Sequence, residues 1–205
     1  MTFDVNDLEP RDSYKLLANA VAPRPICFAS TVDADGNVNL APYSFFNVVS
    51  GNPPYLVFAP QKSGRTLATK DTLNNVLAVP EVVINVVTHA MGAGMSATSA
   101  YFPPGVNEFP VGGFTEVASE RVRPPRVAES PVSFECAVER VIELGNGPIG
   151  GSLVVARVLL VHVDDAFITE DGAFDPAGLD LIGRMGGDDY VRAHGEALFR
   201  MPKPR

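Results

Sequence analysis

Short runs of alternating apolar and polar residues dominate the chain, and turn residues interrupt them at regular intervals. DSYKLLANA, residues 12–20, has helical spacing, with Asp12 or Ser13 as N-cap. Pro23 and Pro25 then impose extended backbone ahead of a strand, ICFAST, at 26–31. Asp35 and Gly36 mark a hairpin turn, and NLAPYSFFN (39–47) reads as the return strand. That strand alternates poorly. Asn39, Ala41, Tyr43, Phe45 and Asn47 share one face; Leu40, Pro42, Ser44, Phe46 and Val48 share the other, so both mix apolar bulk with hydrogen-bonding groups.

PPYLVFAP (53–60) predicts a buried strand, 71–77 a short helix, EVVINVVT (81–88) a β-branched strand and 89–101 a further helix. Residues 102–131 are rich in Pro and Gly without periodicity, which marks a functional or interface element. In VSFECAVERVIEL (132–144), Phe134, Cys136, Val138, Ile142 and Leu144 share a face with Arg140. Glu135, Glu139 and Glu143 occupy the other. SLVVARVLLVHV (152–163) is apolar on both faces, as a central strand is. Many strands and few helices point to a barrel or sandwich.

Composition narrows the function. Of 205 residues, 46% are hydrophobic, enough for a substantial core, and the formal charge is −8. That sign argues against nucleic acid and against an anionic membrane surface. No apolar run reaches the roughly 18–20 residues that span a bilayer. The start, MTFDVNDLEPRDSYK, lacks the basic and apolar regions of a secretory signal, and Cys27 and Cys136 lie apart in apolar segments. Two buried thiols in a cytoplasmic protein are expected.

Most motif-like features have plain explanations. GNGPIG (145–150) has dinucleotide-motif spacing, but Pro148 interrupts it and strand follows, so a hairpin turn is expected. Histidines 89, 162 and 194 lack metal-ligand spacing, Ser96 lacks the second glycine of a nucleophile elbow, and Asp33 with Asp35 does not complete a calcium loop. KSGRTLATKDT (62–72) stands out: Lys62, Arg65 and Lys70 lie among Ser63, Thr66, Thr69 and Thr72, with Asp71 placed to cap the next helix. Cations, hydroxyls and a helix start suit a phosphate dianion; a solvated basic loop is the competing explanation. A flat ring with polar edges would suit one face of 39–47, with Asn39, Ser44 and Asn47 at the edges and Ala41 keeping the backbone close. Filling of a barrel interior and a dimer seam by Tyr43, Phe45 and Phe46 is the alternative.

The segments PRPICFASTVDADGNVNLAPYSFFNVVSGNPPYLVF (23–58), GRTLATKDTLNN (64–75), VVINVV (82–87), MSATSAYFPPGVNEF (95–109), PPRVAESPVSFEC (124–136) and GRMGGDDY (183–190) resemble, in order, the flavin-reductase-like family, especially its flavoredoxin-like branch. The resemblance implies a mainly β fold: a Greek-key, six-stranded antiparallel FMN-binding split barrel with peripheral helices. It implies one domain over 1–205, with an insertion at about 102–131 and a C-terminal extension from about 176. It also implies a homodimer binding FMN near the subunit interface.

The loop carrying Ser63, Arg65, Lys70, Asp71 and Thr72 matches the flavin phosphate region. Ala29, Ser30 and Thr31 resemble the strand beside the isoalloxazine, and Ala41, Pro42, Tyr43, Ser44, Phe45, Phe46 and Asn47 the lining of ring and ribityl chain. Arg184 is a candidate cation for the charge that reduction places near flavin N1, against a surface ion pair. The expected function is an FMN-dependent oxidoreductase taking hydride from NADH or NADPH and passing electrons to a small-molecule acceptor. Alternatives are a non-catalytic FMN electron carrier or store, and a relative of the fold that binds haem or a pyridoxal-type phosphate.

Overall fold

The chain runs from helix α1 (Pro10–Ala20) through strands β1 (Cys27–Val32), β2 (Val38–Tyr43), β3 (Phe46–Gly51) and β4 (Pro54–Phe58). Helix α2 (Asp71–Ala78), β5 (Glu81–Asn85), short helices α3 (Gly92–Ala97) and α4 (Phe109–Gly112), and a small ribbon of β6 (Glu116–Val117) and β7 (Arg126–Val127) follow. Two long strands, β8 (Val132–Glu143) and β9 (Ser152–Val163), precede helix α5 (Pro176–Leu179) and the hairpin of β10 (Ile182–Arg184) and β11 (Tyr190–Arg192). The computed structural model describes residues 1–64 and 66–204. No helix among the described residues is long and apolar enough to cross a membrane.

Local chemistry sets several boundaries. Pro10 opens α1, where its missing N–H removes nothing a helix start needs. The β1–β2 turn is tied by Asp33, whose carboxylate accepts backbone N–H groups of Asp35 and Asn37, each at 2.9 Å. Gly36 supplies the left-handed residue there, with φ +90°. The GNGPIG segment is the hairpin turn between β8 and β9.

The expected six-stranded closed barrel is corrected by the sheet itself. Seven antiparallel strands lie in the order β2-β1-β5-β8-β9-β4-β3, and among the described residues no ladder joins the edges β2 and β3. The sequence 39–47 is therefore not one strand but the ends of two, broken at Ser44 and Phe45 and sitting at opposite edges. Local contacts explain the opening. Ser44 is taken by Arg24 Nε at 3.2 Å, and the Phe45 carbonyl accepts from Ala59 N–H at 2.9 Å. The outer edge of β2 is met by a side chain instead of a strand, because Leu40 N–H donates to Glu108 Oε2 at 2.8 Å. The sheet still curls: Tyr43 on β2 and Phe58 on β4 bring their rings within 5.5 Å.

Two cores result. The inner face gathers Cys27, Ala29, Phe58, Ile84 and Cys136 with Leu73 and Val76 of α2. Phe28, Leu40, Met95, Phe109, Val127 and Ile182 form the outer core. The 102–131 segment thus contributes buried residues, Phe109 at 1% exposure, and truncating that ring to Ala is worth about 3–5 kcal/mol. Alternation placed Glu135 outward, yet it is fully buried because the backbone at Glu120 and Arg121 covers it and donates to it.

Candidate functional site

Helix α2 packs on β1 and β2 through a polar seam. Thr72 is buried, and its Oγ1 accepts from Asn39 Nδ2 at 2.9 Å; Thr31 Oγ1 accepts from Asn75 Nδ2 at 3.1 Å. Asn39 also faces Thr31 Oγ1 at 3.5 Å, across the β1–β2 ladder. Tyr43 lies beside these groups. Burial pushes its phenol well above the ordinary range, and a hydrogen bond with Thr72 pulls in the opposite direction.

The start of α2 differs from expectation in one detail. Asp71 is the first helical residue, not the cap; Lys70 holds the N-cap position, and no side chain caps the helix. Lys70 is exposed and enters no ion pair among the described residues. Lys62 is committed to Glu143 at 3.2 Å. Between them the loop folds on itself: Thr66 N–H donates to Ser63 Oγ at 3.2 Å, and Leu67 takes φ +60°. Arg65, also expected here, lies outside the described residues. An uncapped helix start beside an uncommitted cation and several hydroxyls suits an anion.

The remaining expected residues divide between strand interior and corner. Ala29, Ser30 and Thr31 are fully buried, and the Ser30 hydroxyl has no hydrogen-bond partner among the described residues. Ala41 pairs with Ala29, and Pro42 with Phe28. Phe45 packs against Tyr14, ring centroids 5.9 Å apart, while Phe46 joins the inner core. Asn47 is exposed on edge strand β3 and accepts Val48 N–H at 2.8 Å.

Pro42, Tyr43 and Ser44 also line a cavity of about 360 Å³ between α1, the β2–β3 corner and the C-terminal hairpin. Arg184 lines it too, its guanidinium 4.6 Å from the Tyr190 ring and bonded to the Tyr190 hydroxyl and Gly187 carbonyl. Arg24, absent from the expected set, is the buried charged residue of the lining. Besides Ser44 it donates to Val21 O at 2.6 Å, Met185 O at 2.7 Å and Ala18 O. Its signal in the sequence is an arginine fixed between two prolines, directly before a buried strand.

An open antiparallel sheet with peripheral helices, an anion-ready helix start and a basic cavity at one corner defines a small-molecule-binding protein of mixed β/α fold. The flavin reductase like domain matches residues 20–177. A protein of Aquifex aeolicus is 37% identical over 98% of this chain and 100% of its own. Nitrilotriacetate monooxygenase component B from Bacillus cereus is 32% identical, covers 98% of both chains and superposes with a TM-score of 0.90. The 2-nitrobenzoate 2-nitroreductase NbaA of Pseudomonas fluorescens is 25% identical over 98% of this chain and 96% of its own, with a TM-score of 0.85. The chain belongs to the flavin-reductase-like family of oxidoreductases.

Proposed function

We propose that the chain binds FMN and passes electrons through it from NADH or NADPH to a small-molecule acceptor. The observation that carries this reading is the start of α2: no side-chain cap, an exposed Lys70 with no ion pair among the described residues, and Ser63 and Thr66 in the preceding loop. That donor set fits a phosphate dianion. The relatives named for a monooxygenase component and a nitroreductase support redox chemistry.

When bound, flavin supplies the hydride and electron transfer chemistry, which side chains lack. The protein's own contribution is positioning. Lys70 and the first-turn amides of α2 would hold the phosphate. Asn39 and Asn75 fix Thr72 and Thr31, which keeps the helix start in place against β2. The corner at 41–47 is the surface that orients the ring.

We read 1–205 as one domain, because Ile182 of the C-terminal extension is buried in the outer core and Arg184 bridges to Arg24. A second copy is the expected partner. Val48 and Val49 on the free edge strand, with Leu159 and Val161 on β9, expose apolar side chains that dimerisation would cover. Light scattering checks this. A cytoplasmic location fits the two buried cysteines, neither in a disulfide.

Steady-state oxidation of NADH and NADPH with added FMN tests the function. Turnover is expected. Tight FMN binding without turnover would reassign the chain as an electron carrier, and neither binding nor turnover would contradict the reading.

A further inference from the structure

We propose that the cavity beside Arg24 and Arg184 holds the carboxylate of a small planar substrate, the second reactant at the flavin site. The redox role of that substrate rests on the reading above; the anion preference does not.

Charge is the first ground. Lys15, Arg24 and Arg184 line the cavity against the single carboxylate of Asp188, in a chain of net charge −8. Such a concentration of one sign raises the local concentration of the opposite one.

Arg24 is the second. It is 7% exposed, and its four hydrogen bonds go to three carbonyls and one hydroxyl, all neutral. No carboxylate lies within ion-pair distance of it among the described residues. Burial is the main cause holding its pKa below the ordinary value; Tyr14 opposes that and the Arg184 charge adds to it. A buried guanidinium without a counter-ion is an expensive arrangement, and a bound carboxylate relieves it. Of the five N–H groups an arginine carries, one remains uncommitted.

Arg184 completes the pair. Its side chain is 30% exposed, its nearest carboxylate is the fully exposed Asp188 at 3.7 Å, and its Nε–H has no acceptor among the described residues. Stacking over Tyr190 fixes the plane of the guanidinium and leaves its edge for a carboxylate.

Shape limits the ligand. A volume of about 360 Å³ sits at the low end of the range for small-molecule sites, roughly 300–1,000 Å³, which suits one substituted ring and not a dinucleotide. Tyr14, Ile26, Met95 and Tyr190 give flat or apolar walls. The wall from the C-terminal hairpin is set close by glycines. A Cβ at Gly186 would collide with the Asn19 side chain, and one at Gly183 would press on Pro23 and the Arg24 carbonyl at 3.2 and 3.3 Å.

Calorimetric titration of the chain, with and without FMN, by benzoate and its near-isostere benzamide tests the proposal. Benzoate is expected to bind both forms at least about tenfold more tightly than benzamide. Arg184→Met should erase that preference and Arg184→Lys restore part of it, with circular dichroism confirming the fold of each. Loss of the preference in wild type at high salt reads the same charge without a mutation. Equal binding of the two compounds, a preference that survives Arg184→Met, displacement of benzoate by equimolar inorganic phosphate, or its displacement by FMN would overturn the assignment. A wild-type chain that takes up no FMN would defeat the preceding reading alone, since the FMN-free titration still decides this one.

Discussion

The seam under α2 and the cavity beside α1 bury polar groups in opposite ways. In the seam, Asn39 and Asn75 each find a threonine hydroxyl, Thr72 and Thr31, and every group is neutral. In the cavity, Arg24 places four of its five N–H groups on neutral acceptors and finds no carboxylate among the described residues. A satisfied neutral network holds two elements in register and asks nothing of a ligand. A positive charge kept in a buried corner with only neutral hydrogen-bond partners favours an anion beside it. The seam therefore reads as structural support, and the cavity as the place proposed for a substrate carboxylate.

Five changes sharpen that contrast. The largest effect is expected from Arg24→Met, which strands the carbonyls of Ala18, Val21 and Met185 together with Ser44. At about 1–3 kcal/mol for a stranded buried partner, a loss of about 3 kcal/mol or more is expected in urea unfolding. A loss under about 1 kcal/mol would mean that Arg24 does not pin α1 to the C-terminal hairpin.

The two buried glutamates come next, because their shifts have opposite signs. Burial alone would raise Glu135, but the backbone N–H groups of Glu120 and Arg121, with His162, outweigh it and hold the carboxyl below its usual range. Its contribution to stability is complete above the unfolded value, about 4.3, and is lost as pH falls through the lower folded value. Glu108 is raised, chiefly by burial, with Leu40 N–H opposing and Asp71 adding to it. Its folded form keeps the proton longer, so stability falls as pH rises from about 4.3 through the raised value. Glu135→Ala should cost about 2 kcal/mol at pH 7 by stranding two N–H groups. Glu108→Gln should instead flatten the decline above pH 4.3, read from urea midpoints across pH; an unchanged slope would exclude Glu108 as its source.

Asn39→Ala should cost about 1–2 kcal/mol by leaving Thr72 without its donor. If FMN affinity falls while unfolding is untouched, the seam is itself ligand surface and the contrast fails. Lys70→Ala has the smallest effect on stability, within about 0.5 kcal/mol, because the side chain is exposed and unpaired. Its FMN affinity should nevertheless drop at least about tenfold, measured by flavin fluorescence.

Legibility in the sequence followed the range of the forces involved. The expected strand 152–163 matches β9 end to end, because an apolar run between turn residues is a local signal. The break at Ser44 and Phe45 was hidden, since the poor alternation of 39–47 runs along the whole stretch and marks no single position. It is imposed by Arg24, 20 positions earlier, and by Ala59. The open edge of β2 depends on Glu108, 68 positions from Leu40. The cluster of cations and hydroxyls at 62–72 is a local feature of the letters themselves. The cavity was not, because it unites α1, the corner and residues near 184–190, which meet only in the folded chain.

The central claim is that the start of α2 and the corner beside it grip the phosphate and ring of FMN. Titration of the flavin-free protein with FMN, followed by quenching of flavin fluorescence, tests it most directly. One FMN per chain with saturable quenching, weakened in Lys70→Ala, is the expected result. Fluorescence that stays at the level of free FMN throughout the titration would contradict it.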